Sequence, residues 1–321
     1  MTIPADAAMP FLDTDLTISI VTWNSRADIG PCLESLPQAA AGLTWKATVV
    51  DNASSDRTAE LVAAEFPEVV LIRNARNLGF GAAHNQAIRA GVGRRHFILN
   101  PDTRCDPGSL RTMAEFLDAH PKAGLVGPRV LEPDGKTYPS CREFPTPGAL
   151  LFRNALLSRL FPQNPYTRGY LMEGRSHDHV LAAGWLSGSA ILASRAALQE
   201  IGLLDDRFFM YCEDMDLCRR AHGAGWGVYY NPTARIVHLR SRSTDQRVAA
   251  MLLQHHLSMW KYYDKHERSL QPAWWTAGVA AVIAGRAVVI VVGHYVLRMM
   301  KFFRGIEDRR RARLRERRAQ R

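Results

Sequence analysis

Three carboxylates, Glu213, Asp214 and Asp216, stand within four positions of one another. They follow the aromatic and apolar run Phe208-Phe209-Met210-Tyr211-Cys212 and precede Arg219 and Arg220. Acidic side chains stay out of apolar surroundings unless they are paired or put to use. The apolar positions Met215, Leu217, Cys218 and Ala221 predict a helix over 214–223. That places Glu213 and Asp214 at its N-terminus, where the helix dipole favours negative charge. Asp214 and Asp216 cannot share a helix face, so they serve different tasks. Alone, such a cluster reads as an acidic cap followed by a solvated face. Polar residues elsewhere in the chain change that reading.

Those residues sit where strands end. The β-rich run 16–22 closes at Thr22-Trp23-Asn24, and the run 46–50 closes at Asp51-Asn52-Ala53-Ser54-Ser55-Asp56. The run 69–72 leads to Asn77-Leu78-Gly79-Phe80-Gly81, and 97–99 leads to Asn100-Pro101-Asp102-Thr103. Helices are expected between them, over about 26–36, 57–66, 81–90 and 107–120. Strands alternating with helices imply a doubly wound α/β fold with a parallel sheet. Such sheets bind ligands beyond the carboxyl ends of their strands. Polar strand ends four times in succession point to a nucleotide. Asp51 is suited to accept the imide N–H of uracil or thymine, with Thr22 and Asn24 lining the same base and ribose pocket. Gly79-x-Gly81 falls short of a GxGxxG fingerprint. It reads as a tight strand-to-helix turn that also lets a ligand approach the backbone.

Beyond 120 the pattern changes. A strand over 123–128 is followed by a hairpin centred on Pro133-Asp134-Gly135. Residues 145–169 are apolar and basic, a helix and loop. The stretch Gly184-Trp185-Leu186-Ser187-Gly188-Ser189-Ala190-Ile191-Leu192 reads as one glycine-punctuated strand with something packed close to it. Strands over 226–230 and 234–238 come next, then the basic loop with Arg240, Arg242 and Ser243, and a helix over 248–265.

The chain has 321 residues, 47% hydrophobic and 22% charged, enough for a sizeable core. Five cysteines, odd in number and without CxxC spacing, are expected to be reduced thiols of a cytoplasmic protein. Residues 1–15 have no basic region followed by an apolar run, so no signal peptide is expected. The net charge of +10 is concentrated: the last 24 residues hold eleven Lys or Arg and three acids. The catalytic body is near neutral.

The ordered set of motifs resembles glycosyltransferase family 2 over about residues 15–265. Its members are Val49-Val50-Asp51-Asn52-Ala53-Ser54-Ser55-Asp56, Asn77-Leu78-Gly79-Phe80-Gly81, Leu99-Asn100-Pro101-Asp102-Thr103, Gly188-Ser189-Ala190 and Phe209-Met210-Tyr211-Cys212-Glu213-Asp214-Met215-Asp216. Tyr138-Pro139-Ser140 through Arg142, with Gly184 to Ser189, is similar to the bacterial branch that moves rhamnose onto polyprenyl-diphosphate-linked N-acetylglucosamine. The resemblance implies a GT-A fold, a dTDP- or UDP-linked sugar donor, Mg²⁺ or Mn²⁺, and inversion at the anomeric carbon. A divalent metal suits the chemistry, because a leaving nucleoside diphosphate gathers negative charge that hard-cation binding neutralises. Asp102 matches the last acid of the family's DxD motif, and Asn100 replaces the first, with a hydrogen bond but no charge to offer. His238 matches the C-terminal metal histidine. Asp214 matches the catalytic base, with Glu213 orienting the site and Asp216 pairing with Arg219 or Arg220. The nucleotide-sugar set implied is Thr22, Asn24, Asp51, Asn77, Gly79, Asn100, Asp102, Trp185, Ser187, Gly188, Arg240 and Arg242.

The expected organisation is an extension over 1–14, a GT-A domain over 15–266 (nucleotide half 15–120, acceptor half 121–266), and an apolar helix with a basic tail over 267–321. The apolar stretch 274–297 is long enough to span a bilayer. Arg286 near its centre would cost roughly 2.5–3.5 kcal/mol there. Trp274-Trp275 and the arginine-rich end favour a helix lying in the interface, held to anionic lipid at the cytoplasmic face of the membrane. The body carries no nucleic-acid motif. A lipid-linked saccharide acceptor makes such attachment useful, and a homo-oligomer is left open. Two rival readings remain at this point, a family 2 enzyme using a UDP-sugar and a non-catalytic sugar-nucleotide-binding subunit at the membrane.

Overall fold

The computed structural model describes residues 14–91, 93–152, 157, 160–239 and 248–319. They form two compact units, Met1–Gln246 and Arg247–Arg321.

The first unit begins with β1 (Leu16–Thr22), α1 (Arg26–Ala39), β2 (Trp45–Asp51), α2 (Thr58–Glu65), β3 (Val70–Arg73), α3 (Phe80–Ala90) and β4 (Arg95–Leu99). β1 is buried at every position, as expected of a strand covered on both faces. Burying Leu16, Ile18 and Ile20 stabilises the fold by roughly 1.5–3 kcal/mol each. β1 pairs in parallel with β2 on one side and β4 on the other. The chain therefore winds outward to β3, then returns across β1 to β4. That reversal opens a crevice beyond the ends of β1 and β4, where a doubly wound sheet binds its ligand.

Next come β5 (Thr103–Cys105), α4 (Ser109–Ala119), β6 (Ala123–Leu131), β7 (Thr137–Tyr138), β8 (Cys141–Arg142), α5 (Pro147–Phe152) and α6 (Pro165–Tyr170). They are followed by β9 (Leu181–Ala182), β10 (Trp185–Leu186), β11 (Ala190–Ser194), α7 (Arg195–Ile201), α8 (Glu213–Gly223) and β12 (Gly227–His238). The main sheet runs β3-β2-β1-β4-β11-β6-β12-β5. It is parallel through its first four strands. β11 enters antiparallel to both β4 and β6, and β12 lies parallel to β6.

Two details differ from the sequence expectation. The stretch 184–192 is not one strand. β10 pairs with β8 in a separate two-stranded ribbon, β11 joins the main sheet, and residues 187–189 turn between them. The two late strands are one, β12, with register shifts at Gly227/Val228 and Asn231/Arg235.

The Ser19 and Thr17 hydroxyls of β1 are buried and find partners on histidines. Thr17 Oγ1 lies 2.7 Å from His96 Nδ1, and Ser19 Oγ lies 2.8 Å from His96 Nε2 and 2.7 Å from His84 Nδ1. Burial holds His96 down to about 3 and His84 well below the usual histidine range, so both are neutral. All five cysteines are free and buried.

The second unit contains α9 (Val248–His266) and α10 (Ala273–Ala319). Within this unit α9 packs on α10. Residues Ala273–Val296 are long and apolar enough to cross a membrane, and Trp274, Val288, Val289 and Tyr295 are exposed. Arg286 turns toward α9, with Nη1 3.5 Å from Met259 Sδ.

Candidate active site

β4 ends in the turn Asn100-Pro101-Asp102, and β5 leaves it antiparallel to the end of β12, with Thr103 opposite His238. Leu239 N–H donates to the Asp102 carbonyl at 2.8 Å. This pairing brings together residues 136 positions apart: His238 Nε2 lies 3.0 Å from Asp102 Oδ1. Asn100 Nδ2 lies 3.5 Å from the same ring nitrogen. Asn100 Oδ1 and His238 Nδ1 are buried without a hydrogen-bond partner. Ligands about 2.1 Å from a six-coordinate cation and at right angles to one another lie about 3 Å apart. The Asp102–His238 separation matches that, and the orphaned amide oxygen of Asn100 is a further hard donor. Among the described residues no group of three or more His, Cys, Asp or Glu gathers as a metal site, here or elsewhere. Two protein ligands are what a diphosphate-bound cation needs, since phosphate oxygens and water fill the rest.

On the nucleotide side, Thr22 Oγ1 donates to Asp51 Oδ1 at 3.0 Å, and Ser54 N–H donates to Asp51 Oδ2 at 3.0 Å. A carboxylate has about four acceptor positions, so Asp51 keeps capacity for a base N–H. Asn24, at φ 54°, spends its Oδ1 on Ser55 N–H at 2.7 Å and thereby staples the β1 and β2 loops together. Asn77 Oδ1 accepts from Gly79 N–H at 2.9 Å, an Asx turn. Asn52, absent from the sequence-derived set, donates from Nδ2 to the Gly79 carbonyl at 3.1 Å. Gly79 has φ 91°, and a Cβ there would lie 2.4 Å from the Phe209 carbonyl oxygen. Phe80 N–H donates to that oxygen at 2.7 Å. The glycine therefore serves a backbone crossing, the docking of 79–80 against the segment that carries the acids.

That segment enters α8 through two left-handed residues, Tyr211 (φ 70°) and Cys212 (φ 69°). Non-glycine residues hold such angles only where their surroundings enforce them, commonly at functional sites. Asp214 Oδ2 accepts from Gly188 N–H and Oδ1 from Met215 N–H, each at 2.8 Å. Burial raises the Asp214 carboxyl above the ordinary range, while the two N–H donors and the Arg142 charge oppose that shift. Glu213 is buried, with Oε2 unpartnered. Burial and then the Asp214 charge push it well above the usual glutamate range. Both carboxyls are therefore raised by burial, Glu213 further than Asp214, whose two N–H donors favour its charged form. Asp216 is fully buried and pairs with Arg220 at 2.9 Å, as expected.

Trp185 lies in the β8–β10 ribbon, opposite Arg142. Its Nε1 donates to the Glu143 carbonyl at 3.0 Å, and Arg142 sits over its ring. Ser187 N–H donates to the Ser140 carbonyl at 2.7 Å, and Asn100 N–H donates to the Ser189 carbonyl at 3.0 Å. The turn 187–189 thus touches Asp214 on one side and the Asn100-x-Asp102 turn on the other. Arg240, Arg242 and Ser243 lie outside the described residues.

The profile described as "Glycosyl transferase family 2" matches residues 17–172, and "Glycosyl transferase family group 2" matches residues 97–306. This chain belongs to glycosyltransferase family 2. The N-acetylglucosaminyl-diphospho-decaprenol L-rhamnosyltransferase of Mycobacterium tuberculosis is 34% identical over 253 residues, covering 74% of this chain and 79% of that protein. Among solved structures, a Pyrobaculum calidifontis mannosyltransferase with GDP-Man and Mn²⁺ superposes with TM-score 0.53 at 18% identity, over 92% of this chain and 84% of that one. GalNAc-T7 with UDP, GalNAc and Mn²⁺ gives TM-score 0.51 at 13% identity, over 71% of this chain and 44% of that one. At those identities the likeness is one of fold, and it is the expected GT-A fold.

Proposed function

We propose that this family 2 enzyme moves L-rhamnose from dTDP-L-rhamnose, with inversion, to a saccharide carried on a polyprenyl diphosphate, in assembly of a cell-envelope polysaccharide. The observation that carries this reading is the 34% identity, over most of both chains, to the mycobacterial rhamnosyltransferase.

The site's own residues supply the steps. Asp51, held by Thr22, accepts the imide N–H of the base. Asp102 and His238, with Asn100 beside them, would hold a divalent cation for the donor diphosphate. When bound, that cation neutralises the charge gathering on the leaving group. Asp214 takes the proton of the acceptor hydroxyl, whose oxygen attacks the anomeric carbon in line as the bond to the diphosphate breaks. The nucleoside diphosphate departs and the configuration inverts. A base so placed contributes about 10²–10⁴ in rate. Glu213 stands beside it as a buried carboxyl whose ionisation burial and the Asp214 charge disfavour.

Membrane attachment belongs to the same reading. The exposed apolar face of α10 and the basic C-terminal sequence suit a helix lying at the cytoplasmic face on anionic lipid. There the enzyme meets a lipid-linked acceptor.

A thermal-shift titration with Mn²⁺ tests the donor. A ligand that binds only the folded protein raises stability by about 2.7 kcal/mol at a hundredfold excess over Kd. A metal-dependent shift with dTDP and dTDP-rhamnose, absent with UDP-glucose and UDP-N-acetylglucosamine, is expected. A shift confined to UDP-sugars refutes the rhamnose donor.

A further inference from the structure

Arg142 is a cation without an acid. It lies opposite Trp185 across the β8–β10 ribbon. Its guanidinium carbon is 4.8 Å from the Trp185 ring centre, 5.4 Å from that of Tyr138 and 5.9 Å from that of Tyr170. Nη2 donates to the Tyr138 hydroxyl at 2.7 Å, and Nε is buried with no hydrogen-bond partner. No carboxylate among the described residues forms an ion pair with it. The neighbouring arginines differ in this respect: Arg168 pairs with Glu173 at 3.6 Å and Arg175 with Glu143 at 3.3 Å. Aromatic faces hold a guanidinium in place and answer part of its charge, with no carboxylate in contact with it. A largely buried charge in that state is costly unless a ligand answers it. A rigid planar fork matches phosphate oxygens.

The surroundings say which phosphate. Arg142 acts electrostatically on Asp214, the group that meets the acceptor hydroxyl. The donor's diphosphate already has its place at Asp102 and His238. Tyr170 also walls a 670 Å³ cleft in which the apolar Phe144, Pro165, Tyr166 and Met172 are mixed with charged residues such as Arg168 and Arg175, a lining that offers a prenyl chain apolar contact and a phosphate further cations. In a saccharide diphosphate the attacking hydroxyl and the phosphate share one sugar ring, so base and phosphate anchor must be close neighbours.

We propose that Arg142, held in its aromatic box, binds the sugar-linked phosphate of the acceptor, and that the cleft beyond Tyr170 receives the start of the lipid. This rests on the reading that the acceptor is a saccharide diphosphate.

The test compares initial rates of the full chain, Arg142→Gln and Arg142→Lys on two acceptors. One is N-acetylglucosaminyl diphosphate on a short prenyl chain; the other is a phenyl N-acetylglucosaminide without phosphate. The parent enzyme is expected to prefer the diphosphate. Arg142→Gln is expected to raise KM for it by about 30-fold or more while leaving KM for the phenyl glycoside and the donor unchanged. Arg142→Lys, which keeps a cation in the box and controls for folding, is expected to retain part of the preference. If Arg142→Gln weakens both acceptors equally or raises the donor KM, the assignment fails. If Arg142→Gln keeps the full preference, Arg142 is not the anchor but the acceptor class stands. A parent enzyme that shows no preference for the diphosphate overturns the acceptor class and this assignment together.

Discussion

Gly188 donates its backbone N–H to Asp214 Oδ2 at 2.8 Å, across 26 residues of sequence. A Cβ at Gly188 would stand 3.3 Å from the Asp214 Cβ, so the close approach favours a residue without a side chain. The same turn reaches Asn100 through the Ser189 carbonyl. One short connection between β10 and β11 therefore sets the distance between Asp214, the proposed base, and the Asn100-x-Asp102 turn, the proposed diphosphate site. In-line displacement needs those two groups fixed on opposite sides of one anomeric carbon.

Gly79→Ala tests how firmly the acid segment is held. The added methyl meets the Phe209 carbonyl at 2.4 Å, on a backbone with φ 91° and ψ 173° that only glycine adopts readily. We expect a loss of about 2–4 kcal/mol in urea unfolding, with turnover reduced as residues 209–214 shift. Unchanged stability would show that this crossing is loose.

Asp102→Ala and His238→Ala test the cation site. Each removes one of two ligands, so calorimetry should find dTDP binding in Mn²⁺ weakened about tenfold or more, while binding in EDTA stays as in the parent. Equal weakening with and without Mn²⁺ would assign these residues to direct nucleotide contact.

His96 gives the fold a pH dependence. Its native value near 3 lies below the ordinary 6.5, so between those values the unfolded chain takes up a proton that the folded chain refuses. Stability is therefore complete above about pH 6.5 and falls as the pH drops toward 3. The slope is about 1.4 kcal/mol per pH unit for each fully released histidine. Urea midpoints from pH 7 to pH 4 should fall more steeply for the parent than for His96→Gln. Identical slopes would contradict the buried neutral ring.

Much of this was legible in the sequence. The run 16–22 reads as a buried strand because it is β-branched and apolar with no charge, its small hydroxyls finding partners on the buried His84 and His96. The strand-end residues Asp51, Asn77 and Asn100 to Asp102 follow from doubly wound geometry. Asp216 pairs with Arg220 because four residues apart is one helical turn. What stayed hidden depends on long-range pairing. The break at 187–189 arises because β10 finds β8, which no local pattern announces. The contact of the Asn24 side-chain oxygen with Ser55, which ties two loops together, is equally invisible to local pattern. Arg142 stands in a motif that was noticed, but its box draws on Tyr138, Trp185 and Tyr170 from three different elements.

The most direct measurement is nucleotide release by Asp214→Asn, with dTDP-rhamnose and a lipid-linked N-acetylglucosamine acceptor. The substitution keeps the shape and removes the base. We expect turnover to fall by about 10²–10⁴ while calorimetry finds donor binding retained. Turnover at the parent rate would show that Asp214 is not the base, and the catalytic account built on its contact with Gly188 would fall.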